Sequence, residues 1–193
     1  MSSITYPLEM KIHNCLFTTE QIFTNDECDF LIEKGHELGF KTGKVVDDKG
    51  NYVESESRNV GITFVPIGGD VVPFYSKFTH VIKDLNSKFF NFKLDTVELI
   101  QISRYEEGQY YDWHFDSLTE SPFFRKLSIS IQLSDPKDYE GGDLFFQIPQ
   151  EVTTPKTRGS VTIFPSYIRH KASEVTKGER YSLVSWICGP PFK

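Results

Sequence analysis

Two periodicities divide the chain. In the first half apolar residues recur at helical spacing. Thr24-x-x-Glu27 fits a capping box, in which hydroxyl and carboxylate each serve the other residue's N–H. Phe30, Leu31 and Leu38 follow at helical intervals, and Gly39 is a plausible stop. A second helix is predicted after Gly68-Gly69-Asp70, with Pro73 tolerated in its first turn and Phe78, Ile82, Leu85 and Phe89 on one stripe. That stripe should cover a sheet. The intervening stretch Val45 to Ser57, VVDDKGNYVESES, is polar and rich in turn formers and reads as a surface loop. Extended to Arg58, it is a candidate lid.

From Val97 onward the pattern changes to short β-branched and aromatic runs: VELIQISRY, RKLSISIQL, GDLFFQI, GSVTIFP and YSLVSWIC. These read as strands separated by turns. Leu127, Ile129, Ile131 and Leu133 alternate with Ser128, Ser130 and Gln132, the signature of a strand with one apolar and one polar face. The polar face either lines a pocket or meets solvent. Gly141-Gly142 fits a tight turn or bulge feeding GDLFF. The order of elements predicts an α+β, mainly β fold, with helices packed on one side of an antiparallel sandwich or barrel. No linker or repeat divides the 193 residues, so one domain is expected, helix-rich over 1–95 and β-rich over 96–193.

Composition narrows the function classes. With 38% hydrophobic residues the chain can build a sizeable core, and a formal charge of −6 argues against nucleic acid as a principal partner. Cys15, Cys28 and Cys188 form no metal-like pair and fit a reduced intracellular protein. The opening MSSITYPLEMKIHNC shows no apolar run behind a basic start, and no stretch of ~18 apolar residues occurs. A cytoplasmic protein without a membrane span is expected. The oligomeric state is open.

The chemistry concentrates in a few residues. Of five histidines only His114 begins a His-x-Asp, and in the extended segment YYDWHFDS residues two apart share a face, so His114 and Asp116 can bind one ion. A second histidine would complete the two-His-one-carboxylate set of non-haem iron(II) oxygenases, and His170, after the strand GSVTIFP, is the best candidate. Arg180 follows ten residues later, across a Lys177-Gly178 turn, on one strand face with Ser182. A planar fork plus a hydroxyl suits a carboxylate on a small ligand, although a strand-end arginine can also simply be solvated.

Three blocks, RYEEGQYYDWHFD, RKLSISIQLSDPKDYEGGDLFF and FPSYIRHKASEVTKGERYSLVSW, resemble the prolyl 4-hydroxylase-like branch of the iron(II)/2-oxoglutarate dioxygenases. LFTTEQIFTNDECDFLIEKG resembles the helix that opens that family's domain. The resemblance implies a double-stranded β-helix, or jelly roll, with the N-terminal helices on one sheet. It assigns His114, Asp116 and His170 to iron, and Arg180 with Tyr105 to the distal carboxylate of 2-oxoglutarate, beside the Ser182 that shares the strand face of Arg180. It places Arg125 and Trp186 toward the substrate; Tyr105 and Trp186 also read as core aromatics. One departure is Gln132, where some animal relatives carry a tyrosine near the cosubstrate. The implied cofactors are Fe(II), 2-oxoglutarate and O2, with ascorbate as a candidate reductant. The implied reaction hydroxylates a prolyl residue in a peptide or protein, releasing succinate and carbon dioxide. Two alternatives stay open: a free amino acid or other small-molecule substrate, and a jelly-roll module that binds a metal or ligand without oxidising anything.

Overall fold

The computed structural model describes residues 16–46, 51–117 and 124–192. Helix α1 spans Asn25–Leu38 and begins with the expected capping box: the Glu27 N–H donates to Thr24 Oγ1 at 3.2 Å, and the Thr24 N–H donates to Glu27 Oε2 at 2.7 Å. Its buried face runs through Cys28, Leu31 and Gly35 against the strands Gly61–Val65 and Ile100–Tyr105. Leu38, expected on that face, is 43% exposed. The buried face ends instead at Gly35, where Phe40 packs so close that a Cβ would stand 2.9 Å from its ring.

Helix α2 spans Val72–Leu85 and buries Tyr75, Phe78, Ile82 and Leu85. Phe89, the last member of the predicted stripe, lies beyond it in the π turn Asn86–Phe90, where it stacks on Phe17 with ring centroids 4.3 Å apart. Among the described residues no helix is long and apolar enough to cross a membrane.

Both helices cover one face of an antiparallel sheet whose strands run in the order Phe17–Gln21, Ser160–Pro165, Phe124–Gln132, Arg180–Gly189, Ile100–Tyr105, Gly61–Val65 and Lys41–Thr42, with Thr96–Val97 beside Arg180–Gly189. A smaller sheet orders Gln150–Thr153, Leu144–Ile148, His170–Ala172, Tyr110–His114 and Arg58–Asn59. It packs on the other face, and Phe146 meets Phe164 across the gap at 4.7 Å between centroids. The architecture is a double-stranded β-helix with helices on one sheet, as the motif blocks implied.

Two further details differ from the sequence expectation. The first half also supplies strands to both sheets: Phe17–Gln21, Lys41–Thr42 and Gly61–Val65 to the larger, Arg58–Asn59 to the smaller. Most of these are two to five residues long and half-exposed, too short to show an alternation. Within the expected loop, Val45–Val46 pairs with Tyr52–Val53, so this stretch carries a short hairpin; its residues 47–50 lie outside the described residues.

The strand Phe124–Gln132 decides between the two readings of its alternation. Leu127, Ile129 and Ile131, with Leu133 just beyond the strand, are wholly buried under the helices; each such side chain contributes roughly 1.5–3 kcal/mol relative to exposure. Ser128 and Gln132 are also buried, because their face looks at the smaller sheet. The polar face therefore lines a cavity rather than meeting solvent. Cys28 and Cys188 are free and buried, and burial pushes their thiols up to about 11 and about 12; Cys15 lies outside the described residues.

Candidate active site

The cavity between the sheets is built around one pairing. His170 and His114 face each other across adjacent antiparallel strands, with ring centroids 4.2 Å apart. The next pair is Ala172 with Tyr111, so three steps on one strand match two on the other. This bulge turns Tyr111 to the same side as His114, where the rings stack with centroids 3.5 Å apart. Asp116 stands two residues beyond the strand end, its N–H donating to the Ser166 carbonyl at 3.0 Å.

The three side chains converge. His114 Nε2 lies 3.6 Å from Asp116 Oδ1, and His170 Nε2 lies 3.4 Å from Asp116 Oδ2. All three ligand atoms fall within 4.8 Å of one another. Each imidazole is oriented from behind: Nδ1 of His114 donates to the Asp112 carbonyl at 2.7 Å, and Nδ1 of His170 to the Ile168 carbonyl at 2.9 Å. A carbonyl only accepts, so each Nδ1 carries a proton and each Nε2 is turned toward Asp116. Burial pushes His170 down to about 4, keeping it neutral. Burial alone would raise Asp116, but His170, His114 and Ser128 together hold its carboxyl well below the usual range. Asp116 Oδ2 is buried with no hydrogen-bond partner. Two imidazoles and one carboxylate with an orphan oxygen fit a divalent cation, and this donor set suits iron(II) with coordination positions left open.

Arg180 starts the strand Arg180–Gly189 opposite Tyr105, is 3% exposed, and lines the same cavity together with Tyr105 and Ser182. Its guanidinium carbon sits 5.3 Å from the Tyr105 ring centroid, and Nη1 has a long 3.5 Å contact with Ser182 Oγ. Its Nε is buried without a partner, and among the described residues no carboxylate pairs with it. A buried cation without a counter-ion is costly unless a ligand supplies one. Sequence reasoning missed Tyr139, whose hydroxyl accepts from Gln132 Nε2 at 2.7 Å. Burial pushes the Tyr139 phenol up while nearby Arg180 opposes it. The hint lay in Gln132 itself: a phenol lies next to it after all, supplied by the strand Tyr139–Gly141.

Trp186 lines the cavity and is 7% exposed, with Nε1 buried and unpartnered. Arg125 stacks on it, guanidinium carbon 3.8 Å from the ring centroid, and donates from Nε and Nη2 to Glu98 at 2.6 and 2.7 Å. Only its Nη1 turns toward the triad, 3.4 Å from the Asp116 carbonyl. Of the aromatics around the motif, Tyr111 enters the cavity. Tyr110 donates its hydroxyl to the Glu56 carbonyl, and Trp113 lies under Arg169 and Lys171. Arg58 and Gln101 complete the wall. Among the described residues, the only carboxylate lining the cavity is Asp116.

Comparison with known proteins agrees with this geometry. Residues 100–188 match the family model of the 2OG-Fe(II) oxygenase superfamily. A PKHD-type hydroxylase of Synechococcus sp. (strain CC9902) is 39% identical over 94 residues, 47% of this chain and 41% of that protein, so this chain spans less than half of its length. Among solved structures, the viral collagen prolyl hydroxylase of Paramecium bursaria Chlorella virus-1, in a 2OG complex, superposes with TM-score 0.71 at 18% identity, over 92% of this chain and 97% of that one. A Trichoplax adhaerens prolyl hydroxylase holding a hypoxia inducible factor peptide fragment gives TM-score 0.73 at 16% identity, over 91% and 84%.

Proposed function

We propose that this chain, whose residues 100–188 carry the signature of the 2OG-Fe(II) oxygenase superfamily, is an iron(II)- and 2-oxoglutarate-dependent dioxygenase that hydroxylates a prolyl residue in a peptide or protein. The observation that carries the reading is one cavity holding both the His114–Asp116–His170 triad and a buried guanidinium, Arg180, with no acidic partner among the described residues. A metal-binding module without chemistry has no use for the second feature.

His114, Asp116 and His170 would hold the iron, and the carbonyls of Asp112 and Ile168 keep both imidazoles turned to it. Arg180, with Ser182 and the Tyr105 ring, would take the distal carboxylate of 2-oxoglutarate. When bound, iron with 2-oxoglutarate and O2 supplies an oxidation in which one oxygen atom enters a substrate C–H bond and the other enters succinate, with loss of carbon dioxide. The protein's share is placement and dryness. Phe164, Leu144, Val184 and Trp186 wall the cavity with apolar surface, and Glu98 holds Arg125 flat on Trp186.

Support for a peptide substrate is the missing counter-charge for an ammonium: among the described residues the only carboxylate in the wall is Asp116, which is committed to the metal. A free amino acid would bury its ammonium unpaired. The Trichoplax neighbour, whose bound peptide lies in a similar fold, points the same way. The test is a mass-spectrometric screen of the iron-loaded protein with 2-oxoglutarate and oxygen. Proline-containing peptides should gain one oxygen and stimulate succinate formation, and free L-proline should do neither. Oxidation of free amino acids with peptides untouched would overturn the prolyl reading and keep the dioxygenase.

A further inference from the structure

The cavity carries a second guanidinium that the reaction above leaves unused. Arg58 sits on the edge strand Arg58–Asn59 directly across from Tyr111, its guanidinium carbon 4.7 Å from that ring's centroid. Through Tyr111 it stands one ring away from the metal ligand His114. Nη1 donates to the Lys44 carbonyl at 2.6 Å, and Nη2 reaches Gln101 Oε1 at 3.4 Å, while Nε is buried without a partner. Both acceptors are neutral. Among the described residues no carboxylate pairs with Arg58.

Its place in the cavity separates it from Arg180. Arg180 Nη1 approaches Ser182 Oγ beside the Tyr105 ring, whereas Arg58 Nη2 approaches Gln101 Oε1 and its guanidinium lies over the Tyr111 ring. The two guanidiniums therefore meet different neighbours in one cavity. On the reading proposed above, the charges at the Arg180 end cancel. Two positive charges of iron(II), less one for Asp116 and plus one for Arg180, balance the two negative charges of 2-oxoglutarate. Arg58, half-buried with its Nε shielded from solvent, then leaves one positive charge over in the cavity wall.

We propose that Arg58 determines specificity, and that the substrate presents a carboxylate to it close to the carbon that is oxidised. With no acid besides Asp116 in the wall among the described residues to match an ammonium, the carboxylate comes from an acidic side chain flanking the target residue of a peptide. This inference rests on the dioxygenase reading for its charge balance. Arg58 differs from Arg125, whose Nε and Nη2 both donate to Glu98 and are closed to a ligand.

The experiment titrates the iron- and 2-oxoglutarate-loaded protein, without oxygen, with three matched peptides in which one prolyl residue is flanked by Glu, Gln or Lys. Glutarate serves as a small carboxylate probe. The Glu peptide should bind at least about tenfold tighter than the Gln peptide, with the Lys peptide weakest, because only the Glu peptide brings a counter-charge to a guanidinium that has no carboxylate partner among the described residues. That ratio should collapse toward unity in Arg58→Gln and survive in part in Arg58→Lys. The wild-type ratio alone decides the matter if a variant fails to fold. Equal binding of all three peptides overturns the Arg58 inference, and if those peptides gain oxygen the prolyl reading stands. Binding of glutarate with no binding of any peptide overturns the peptide source together with the prolyl reading, leaving Arg58 as a carboxylate site. Failure of every acidic probe to bind also overturns the inference.

Discussion

Tyr111 and His114 stack face to face, ring centroids 3.5 Å apart, although they are three residues apart on one strand. A regular strand sends residues at odd spacing to opposite faces. The bulge opposite His170 and Ala172 removes that conflict and turns both rings into the cavity. It also links Arg58, packed against Tyr111, to the metal ligands.

Loss of any one triad residue should abolish metal binding and turnover together. His114→Ala, Asp116→Ala and His170→Ala each leave two donors of three, too few to hold the geometry. Metal affinity by titration and succinate formation are the measurements. Full metal affinity in all three variants would place the metal elsewhere.

Arg180→Lys keeps the charge and removes the planar fork. The Michaelis constant for 2-oxoglutarate should rise more than about tenfold, while iron affinity is retained, because a point charge cannot replace two parallel donors. An unchanged constant would assign the distal carboxylate to another residue.

Gly142 supports Arg180 from behind. Its φ of +59° disfavours any Cβ, and a Cβ there would stand 2.8 Å from Arg180 Cδ. Gly142→Ala should therefore weaken 2-oxoglutarate binding severalfold by displacing the arginine, with metal binding intact. Equal weakening of both ligands would indicate general unfolding of the cavity instead.

Glu27 couples the α1 cap to pH. Its carboxylate accepts from the Thr24 N–H and from Lys77 Nζ, 2.6 Å away. Burial works to raise its pKa from 4.5, but Lys77 and Thr24 outweigh it, and the folded value is lowered. A lowered folded pKa gives stability that is present above the unfolded value and lost as pH falls through the folded one. Denaturant unfolding should show wild type more stable than Glu27→Gln at neutral pH, and the difference should shrink as pH falls below 4.5 through the lowered folded value. A difference independent of pH would assign the effect to shape rather than charge.

Local pattern alone determined a good deal here. The Thr24 cap, both helices, the alternation of Leu127 to Leu133, and the two-residue spacing of His114 and Asp116 depend on near neighbours in the chain, and they are legible from it. The motif blocks also named His170 and Arg180, which the fold brings into one cavity with His114 and Asp116. Tertiary structure decided the rest. Whether Ser128 and Gln132 face water or a cavity depends on what packs against that face, and the smaller sheet supplies the answer. The inward turn of Tyr111 depends on a bulge set by register against a strand about sixty residues away, which no local periodicity records. Tyr139, Arg58 and the capture of Arg125 by Glu98 arise the same way, from strands distant in sequence laid side by side. Hydrophobic periodicity reports which face of an element is buried; side-chain partners across a sheet are fixed by register and packing, which only the folded chain contains.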